Sequence, residues 1–219
     1  PLLKKIEMRH FSPIDQFIMQ ADHALRTILG KPITTERTNP SAGIAENELG
    51  EAERKHAAGL MRVNHSGEVS AQALYQGQAL TARLDEVRQS MKHAALEEND
   101  HLTWTEQRLS ELSSQKSVLN PVWYAGSFTI GALAGLLGDQ WSLGFVAETE
   151  HQVVRHLHKH LQKLPANDAR SEAILKQMVT DEARHATVAL EGGGAELPLP
   201  VKKLMAAMSK VMTGSAYYL

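Results

Sequence analysis

A carboxylate and an imidazole three residues apart, on the apolar side of what reads as a helix, set the tightest limit on how this chain can fold. They are Glu182 and His185, within Thr180-Asp181-Glu182-Ala183-Arg184-His185. Around them Ile174, Leu175, Met178, Val179, Ala186, Ala189 and Leu190 recur at helical spacing and define one face. Residues three apart are neighbours on one side of a helix. Ionisable groups turned toward a core are costly unless something pairs with them, and a metal ion pairs with both.

The same pattern recurs. Glu98 and His101 lie in a stripe of Val87, Met91, Ala94, Ala95, Leu102, Leu109 and Leu112. Glu150 lies among Leu143, Val146, Val153, Val154, Leu157, Leu161 and Leu164. Glu68 has a weaker stripe of Met61, Ala71, Leu74 and Tyr75. Glu68 precedes Glu98 by 30 residues, and Glu150 precedes Glu182 by 32. On one unbroken helix such a gap spans roughly 45 Å, so each pair needs a turn near its midpoint. Pro165-Ala166-Asn167-Asp168 marks one. The other falls near position 83, between Thr81 and Asp85, on the strength of spacing alone. Two antiparallel helical hairpins, each giving Glu and then Glu-x-x-His, make a four-Glu, two-His site in an all-α, ferritin-like four-helix bundle. The predicted metal ligands are Glu68, Glu98, His101, Glu150, Glu182 and His185. The predicted division is an N-terminal amphipathic helix and linker over 1–46 and the bundle domain over 47–219.

Before the bundle, Ser12-Pro13-Ile14-Asp15 reads as a helix start. Phe17, Ile18, Ala21, Leu25, Ile28 and Leu29 form a stripe, ended by Gly30 and Pro32. Packing on the bundle edge is the leading reading, a membrane-surface or partner-binding helix the other. Residues 33–46 read as a mobile linker or loop. The next helix runs from near Glu48 to about Ala79. Its Glu53 and His56 repeat the motif but lie 15 residues from Glu68, about 22 Å along a helix, which assigns them to solvent or packing. Gly67, beside Glu68, reads either as a packing glycine or as a place where a helix or small molecule comes close.

Val122 to Gly138 runs 17 residues without a charge. A long apolar crossover helix is required here, because the helices of Glu98 and Glu150 should run parallel. A buried crossover, an interfacial segment meeting lipid or an apolar substrate, and a true span are the three readings. Glu148 and His151 also have the three-residue spacing, but among polar neighbours, so Glu150 is preferred. His158 and His160 read as a solvated last turn. His156 is held open as a residue behind the ligands. Gly192-Gly193-Gly194 ends the helix of His185, and Lys202 to Leu219 forms a final, Met-rich helix, packed on the bundle or lining an apolar entrance.

With 42% hydrophobic residues among 219 the chain can bury a sizeable core, and a net charge of −2 gives no bulk electrostatic reason to expect a nucleic-acid partner. No cysteine is present, which removes disulfides, iron–sulfur clusters and thiolate zinc sites. The N-terminus shows no long apolar run of a signal peptide. Four carboxylates and two imidazoles suit iron or manganese better than zinc or copper, with positions left for water or dioxygen. Asp181 is placed to accept a hydrogen bond from a ligand imidazole.

Glu150, thirty intervening residues and then Asp-Glu-Ala-Arg-His resembles the signature of di-iron oxygenases and oxidases. Glu97-Glu98-Asn99-Asp100-His101 lacks the Arg of that signature. Arg62-Val63-Asn64-His65-Ser66-Gly67-Glu68 with Leu74-Tyr75-x-Gly77-Gln78 resembles a narrower family, the demethoxyubiquinone hydroxylases, from about residue 50 to the C-terminus. The resemblance implies a monooxygenase that hydroxylates the ring of a polyprenyl methoxy-methyl-benzoquinol in ubiquinone biosynthesis. It implies two Fe2+ ions per chain on the same six residues, O2 as co-substrate, and electrons from the quinol or NADH. His156 matches a family His near the site, and Leu157 stands where some members carry Tyr. It further implies a peripheral protein on the cytoplasmic side of a bacterial inner membrane (the mitochondrial inner membrane in a eukaryote), with other ubiquinone-biosynthesis proteins as partners. A ferritin-like ferroxidase or peroxidase is the competing enzyme reading, and a non-catalytic lipid-binding helical protein the competing class.

Overall fold

The computed structural model describes residues 12–30 and 32–219. The side chain of Phe17, counted in the first stripe, lies outside the described residues, as do residues 1–11 and Lys31. Seven helices follow one another among the described residues: α1 (Pro13–Ile28), α2 (Glu51–Thr81), α3 (Asp85–Glu111), α4 (Asn120–Leu136), α5 (Asp139–Leu161), α6 (Ala169–Glu191) and α7 (Leu199–Ala216). Helices α2, α3, α5 and α6 form the bundle, and α4 makes the crossover. Asn64 meets His160, Tyr75 meets Glu150 and Gln78 meets Ser142, so α2 and α5 run antiparallel. Arg108 meets Ser171 and His101 meets Asp181, so α3 and α6 do the same. Hence α3 and α5 are parallel, as a ferritin-like bundle with a long crossover demands.

Two apolar clusters fill the bundle. One holds Met61, Trp104, Leu157, Ile174, Leu175 and Met178. The other holds Tyr75, Met91, Val146, Ala147 and Ala189. Along every bundle helix the predicted ligands fall between the two. Each fully buried Leu, Ile or Met contributes about 1.5–3 kcal/mol, so apolar packing on both sides compensates for a polar layer in the middle.

The α2–α3 turn is short, Ala82 to Leu84, and its position matches the spacing argument. Its local signal is weak because its cap comes from elsewhere: the Asp139 carboxylate, at the start of α5, accepts from the backbone N–H of Arg83 and Leu84 at 3.0 and 2.8 Å. Crossover helix α4 packs directly on α2. A Cβ at Gly131 would lie 2.2 Å from the Leu74 carbonyl oxygen, and one at Gly77 2.3 Å from that of Phe128. Only glycine permits such backbone contact. The buried-crossover reading holds for that face alone, since Val122, Leu133, Leu136 and Leu137 are exposed on the other. Among the described residues no helix is long and apolar enough to cross a membrane.

Three local expectations need correction. The 33–46 segment is tied to the bundle rather than loose: Thr35 and Arg37 bind Asp100, Arg170 donates to the Ile44 carbonyl, and Glu46 receives both terminal nitrogens of the fully buried Arg108. Its composition resembles that of a loose linker because the partners of its polar side chains are distant in sequence. His160 is buried, with Nδ1 2.8 Å from Asn64 Oδ1, whereas His158 is exposed as expected. The outward face assumed for His160 is covered by α2. Gly67 has open space where its Cβ would stand, so no neighbouring helix packs on it. Helix α1 packs on the bundle edge as expected, with Ala24 and Ile28 against the cluster of Val69, Ala73, Leu102 and Tyr124, and it leaves Ile14, Ile18, Leu25 and Leu29 exposed.

Candidate metal centre

Each bundle helix brings part of the site to one level: α2 brings Glu68, α3 Glu98 and His101, α5 Glu150, and α6 Glu182 and His185. All six are buried. They form two groups whose ligand-capable atoms lie within 4.8 Å of one another: Glu68, Glu98, His101 and Glu182 in one, and Glu98, Glu150, Glu182 and His185 in the other. Glu98 and Glu182 belong to both. Glu98 turns Oε2 toward His101 Nδ1 at 3.2 Å and Oε1 toward His185 Nδ1 at 3.3 Å. Glu182 turns Oε1 toward His101 Nδ1 and Oε2 toward His185 Nδ1, both at 3.1 Å. Each of these carboxylates therefore spans the two imidazoles, as a bridging ligand must. Glu68 and Glu150 stand at opposite ends.

The outward nitrogens of both imidazoles are also engaged, and each is held by the opposite hairpin. His101 Nε2 donates to Asp181 Oδ2 at 2.9 Å, and His185 Nε2 donates to Glu97 Oε2 at 2.8 Å. Asp181 directly precedes Glu182, and Glu97 directly precedes Glu98. This leaves both Nδ1 atoms facing the carboxylates, the ring orientation that suits metal ligation. Asp181 was legible in advance; Glu97 was not, although it occupies the equivalent place before its ligand. Tyr75 was also missed as a support: its hydroxyl donates to Glu150 Oε1.

The electrostatics are those of a centre built around positive charge. Burial, reinforced by the neighbouring Glu182 and Glu98 carboxylates, pushes Glu150 well above the usual carboxylate range, and burial does the same to Glu68. Burial also opposes charge on Glu98, but hydrogen bonds from His101 and His185 hold it well below that range. Burial disfavours the His185 imidazolium, yet Glu182, Glu97 and Glu98 raise its pKa to about 12. Buried Glu150 Oε2 has no hydrogen-bond donor, and Glu98 and Glu182 share the same two imidazole nitrogens between four oxygens. Unpaired buried carboxylate oxygens carry a full desolvation penalty. A hard divalent cation on each group relieves it, and the oxygen-rich donor set with one imidazole apiece fits iron or manganese.

Other sequence candidates fall outside the two groups. Glu148 binds Gln152 and Arg155. Glu53 caps the start of α2, and His56 bonds Tyr217 and the Lys163 carbonyl. His156 is half-buried, its ring 3.9 Å from that of His160, and its Nε2 is buried without a partner. It is not among the clustered ligands.

Beside the centre lies a cavity of about 720 Å³ between α1, α2 and α3. Met19, Ile33, Met91 and Ala95 make it apolar, Gln72 lends it polarity, and Tyr75 forms part of its wall. Through Tyr75 the cavity abuts Glu150.

A helical bundle of this topology, with paired Glu-x-x-His motifs at its middle, is of the ferritin-like class. Comparison with known proteins narrows the class. The sequence model of the family described as ubiquinone biosynthesis protein COQ7 matches residues 55–216, and the chain belongs to that family. It is 62% identical to a 3-demethoxyubiquinol 3-hydroxylase of Nitrosococcus oceani, over 98% of this chain and 100% of the relative. Proteins of the same name from Nitrosomonas europaea and Acinetobacter baumannii are 58% and 57% identical, over 94% and 97% of this chain and 98% and 100% of theirs. The likeness thus reaches into the first 45 residues, which the motif resemblance had left out.

Proposed function

We propose that this protein is a monooxygenase that hydroxylates the ring of a polyprenyl 3-demethoxyubiquinol, with Glu68, Glu98, His101, Glu150, Glu182 and His185 holding two ferrous ions. The observation that carries the reading is the pair of carboxylates, Glu98 and Glu182, each spanning both imidazoles. The ions, when bound, supply dioxygen-activating chemistry, with electrons from the quinol itself or from a nicotinamide donor. The protein's own groups do the rest. Glu97 and Asp181 fix the two ligand imidazoles by accepting their Nε2 protons. Tyr75 fixes Glu150. The quinol ring occupies the cavity beside Tyr75, where Gln72 gives the wall a polar group. The apolar wall of Met19, Ile33 and Met91 receives the start of the isoprenoid tail and excludes water from the reacting ring.

The exposed apolar residues of α1, α4 and α7, among them Ile18, Leu25, Leu133, Leu136, Leu204 and Val211, support a peripheral seat on a membrane that carries so apolar a substrate. The test is to supply ferrous iron, reductant, O2 and the quinol to the purified protein and to quantify the hydroxylated ring by mass spectrometry. Product from the wild type and its loss in Glu182→Ala are expected. A wild type that binds two ions per chain yet makes no product overturns the reading.

A further inference from the structure

The two ligand imidazoles are supported alike but not by like parts of the sequence. At His185 the supporting carboxylate, Glu97, is itself gripped by Arg184, whose Nη2 donates to Glu97 Oε1 at 2.8 Å. Arg184 is the residue directly before His185. The corresponding place before His101 is occupied by Asp100, which cannot donate in this way. Yet Asp181, the carboxylate that supports His101, also has its arginine: Arg37 Nη1 donates to Asp181 Oδ2 at 2.8 Å. Arg37 comes from the segment before α2, 144 residues away in sequence.

Asp100 explains how it gets there. Its carboxylate receives Arg37 Nε at 2.7 Å, Thr35 N at 2.9 Å and the Thr35 hydroxyl. Glu36, between them, sits at φ 63°, in the left-handed region, so both neighbours grip the same group. The guanidinium carbon lies 4.9 Å from the Trp104 ring centroid, and the same ring stands 5.3 Å from that of His101. Where the first motif lacks an arginine, it carries the acid that captures one.

We propose that Arg37 is a positioning residue for the metal centre, doing for His101, through Asp181, what Arg184 does for His185 through Glu97. The proposal rests on the dinuclear reading above. Arg37 bridges two nearly buried carboxylates at once, through Nε to Asp100 and Nη1 to Asp181. A lysine presents one point charge and cannot reproduce that fork. Without the guanidinium, Asp181 keeps Gln177 Nε2 at 3.1 Å and Arg184 Nη2 at 3.8 Å on Oδ1 but loses the charged donor on Oδ2, the oxygen that holds His101.

The experiment is an anaerobic calorimetric titration of metal-free protein with Co2+, with thermal unfolding measured alongside. Wild type is expected to take up two ions. If it does not, the dinuclear reading fails and not this inference alone. In Arg37→Met, one ion is expected to bind 10- to 100-fold more weakly, the size usual for removing a residue behind a ligand, while the other keeps its affinity. Arg184→Met should weaken one ion as well, and combining Glu68→Ala with each arginine variant identifies which. After Glu68→Ala has disabled the His101 side, Arg37→Met should change the remaining ion's affinity little, and Arg184→Met should lower it. Arg37→Lys, which keeps the charge and so guards against a folding failure, should still weaken the same ion severalfold. Wild-type affinities for both ions in Arg37→Lys and Arg37→Met, with only a lower Tm, overturn the proposal and leave the segment a brace. Equal weakening of both ions overturns it too.

Discussion

Tyr75 donates its hydroxyl hydrogen to Glu150 Oε1 from the wall of the cavity between α1, α2 and α3. One residue thus touches both the space for a substrate ring and an end ligand of the candidate metal centre. Tyr75→Phe keeps the ring and the wall but frees Glu150, whose Oε2 already lacks a donor. Hydroxylated product should fall 10- to 100-fold. Product formation measured at saturating quinol separates this from a substrate-binding defect, because the wall is unchanged.

The two kinds of carboxylate should respond differently to removal. Glu98 and Glu182 serve both groups, whereas Glu68 serves one. Glu98→Ala and Glu182→Ala are expected to purify with well under one ion per chain, and Glu68→Ala with roughly one. Elemental analysis of protein refilled with Fe2+ without oxygen reads the difference. Equal loss in all three variants would contradict the bridging assignment.

Acid should destabilise the fold through histidines away from the centre. Burial lowers the pKa of His65 and of His160 to about 3, with Lys116 adding at the first and His156 at the second. An unfolded histidine titrates near pH 6.5. Between these values the unfolded chain binds more protons, so stability is complete above about pH 6.5 and is lost as pH falls toward 3. Going from about pH 7.5 to about pH 5.5 removes about 1.4 kcal/mol per histidine. In urea unfolding of metal-free protein, His160→Gln should lose about that much less than wild type over the same interval. An unchanged pH slope would mean that His160 is charged in the fold.

Glycines of α4 should divide by face. Gly131→Ala drives a methyl into the Leu74 carbonyl, against backbone that cannot yield. It should cost about 1–3 kcal/mol or more. Gly126 meets nothing within 4 Å, so Gly126→Ala should stabilise the helix by about 0.5–1 kcal/mol. Thermal unfolding of the two variants makes the comparison.

How much could be read from residues alone follows from the range of each interaction. The bundle and the six clustered side chains were legible because they obey helical periodicity, a signal carried within each segment. Tyr75 and Glu97 were not, although both lie on predicted helices, because their partners, Glu150 and His185, sit on another hairpin. Arg37 was hidden more deeply, in a segment whose Thr, Pro, Ser and charge suggested solvent. A hydrophilic stretch that binds buried acids looks the same in sequence as one that binds water. The α2–α3 turn was placed correctly by arithmetic but had no visible cap, since Asp139 lies more than fifty residues downstream. The resemblance supplied the chemistry that geometry alone left open among oxygenase, ferroxidase and carrier.

The crosswise support of the imidazoles bears on the newly made chain. A first hairpin that has emerged alone has no acceptor for His101 Nε2, because Asp181 is not yet in place, and it lacks the shared carboxylate of Glu182. The second hairpin alone is short of Glu97 and Glu98 in the same way. Neither intermediate offers a complete set of carboxylates and oriented imidazoles, so the candidate metal centre exists only once the two halves have docked.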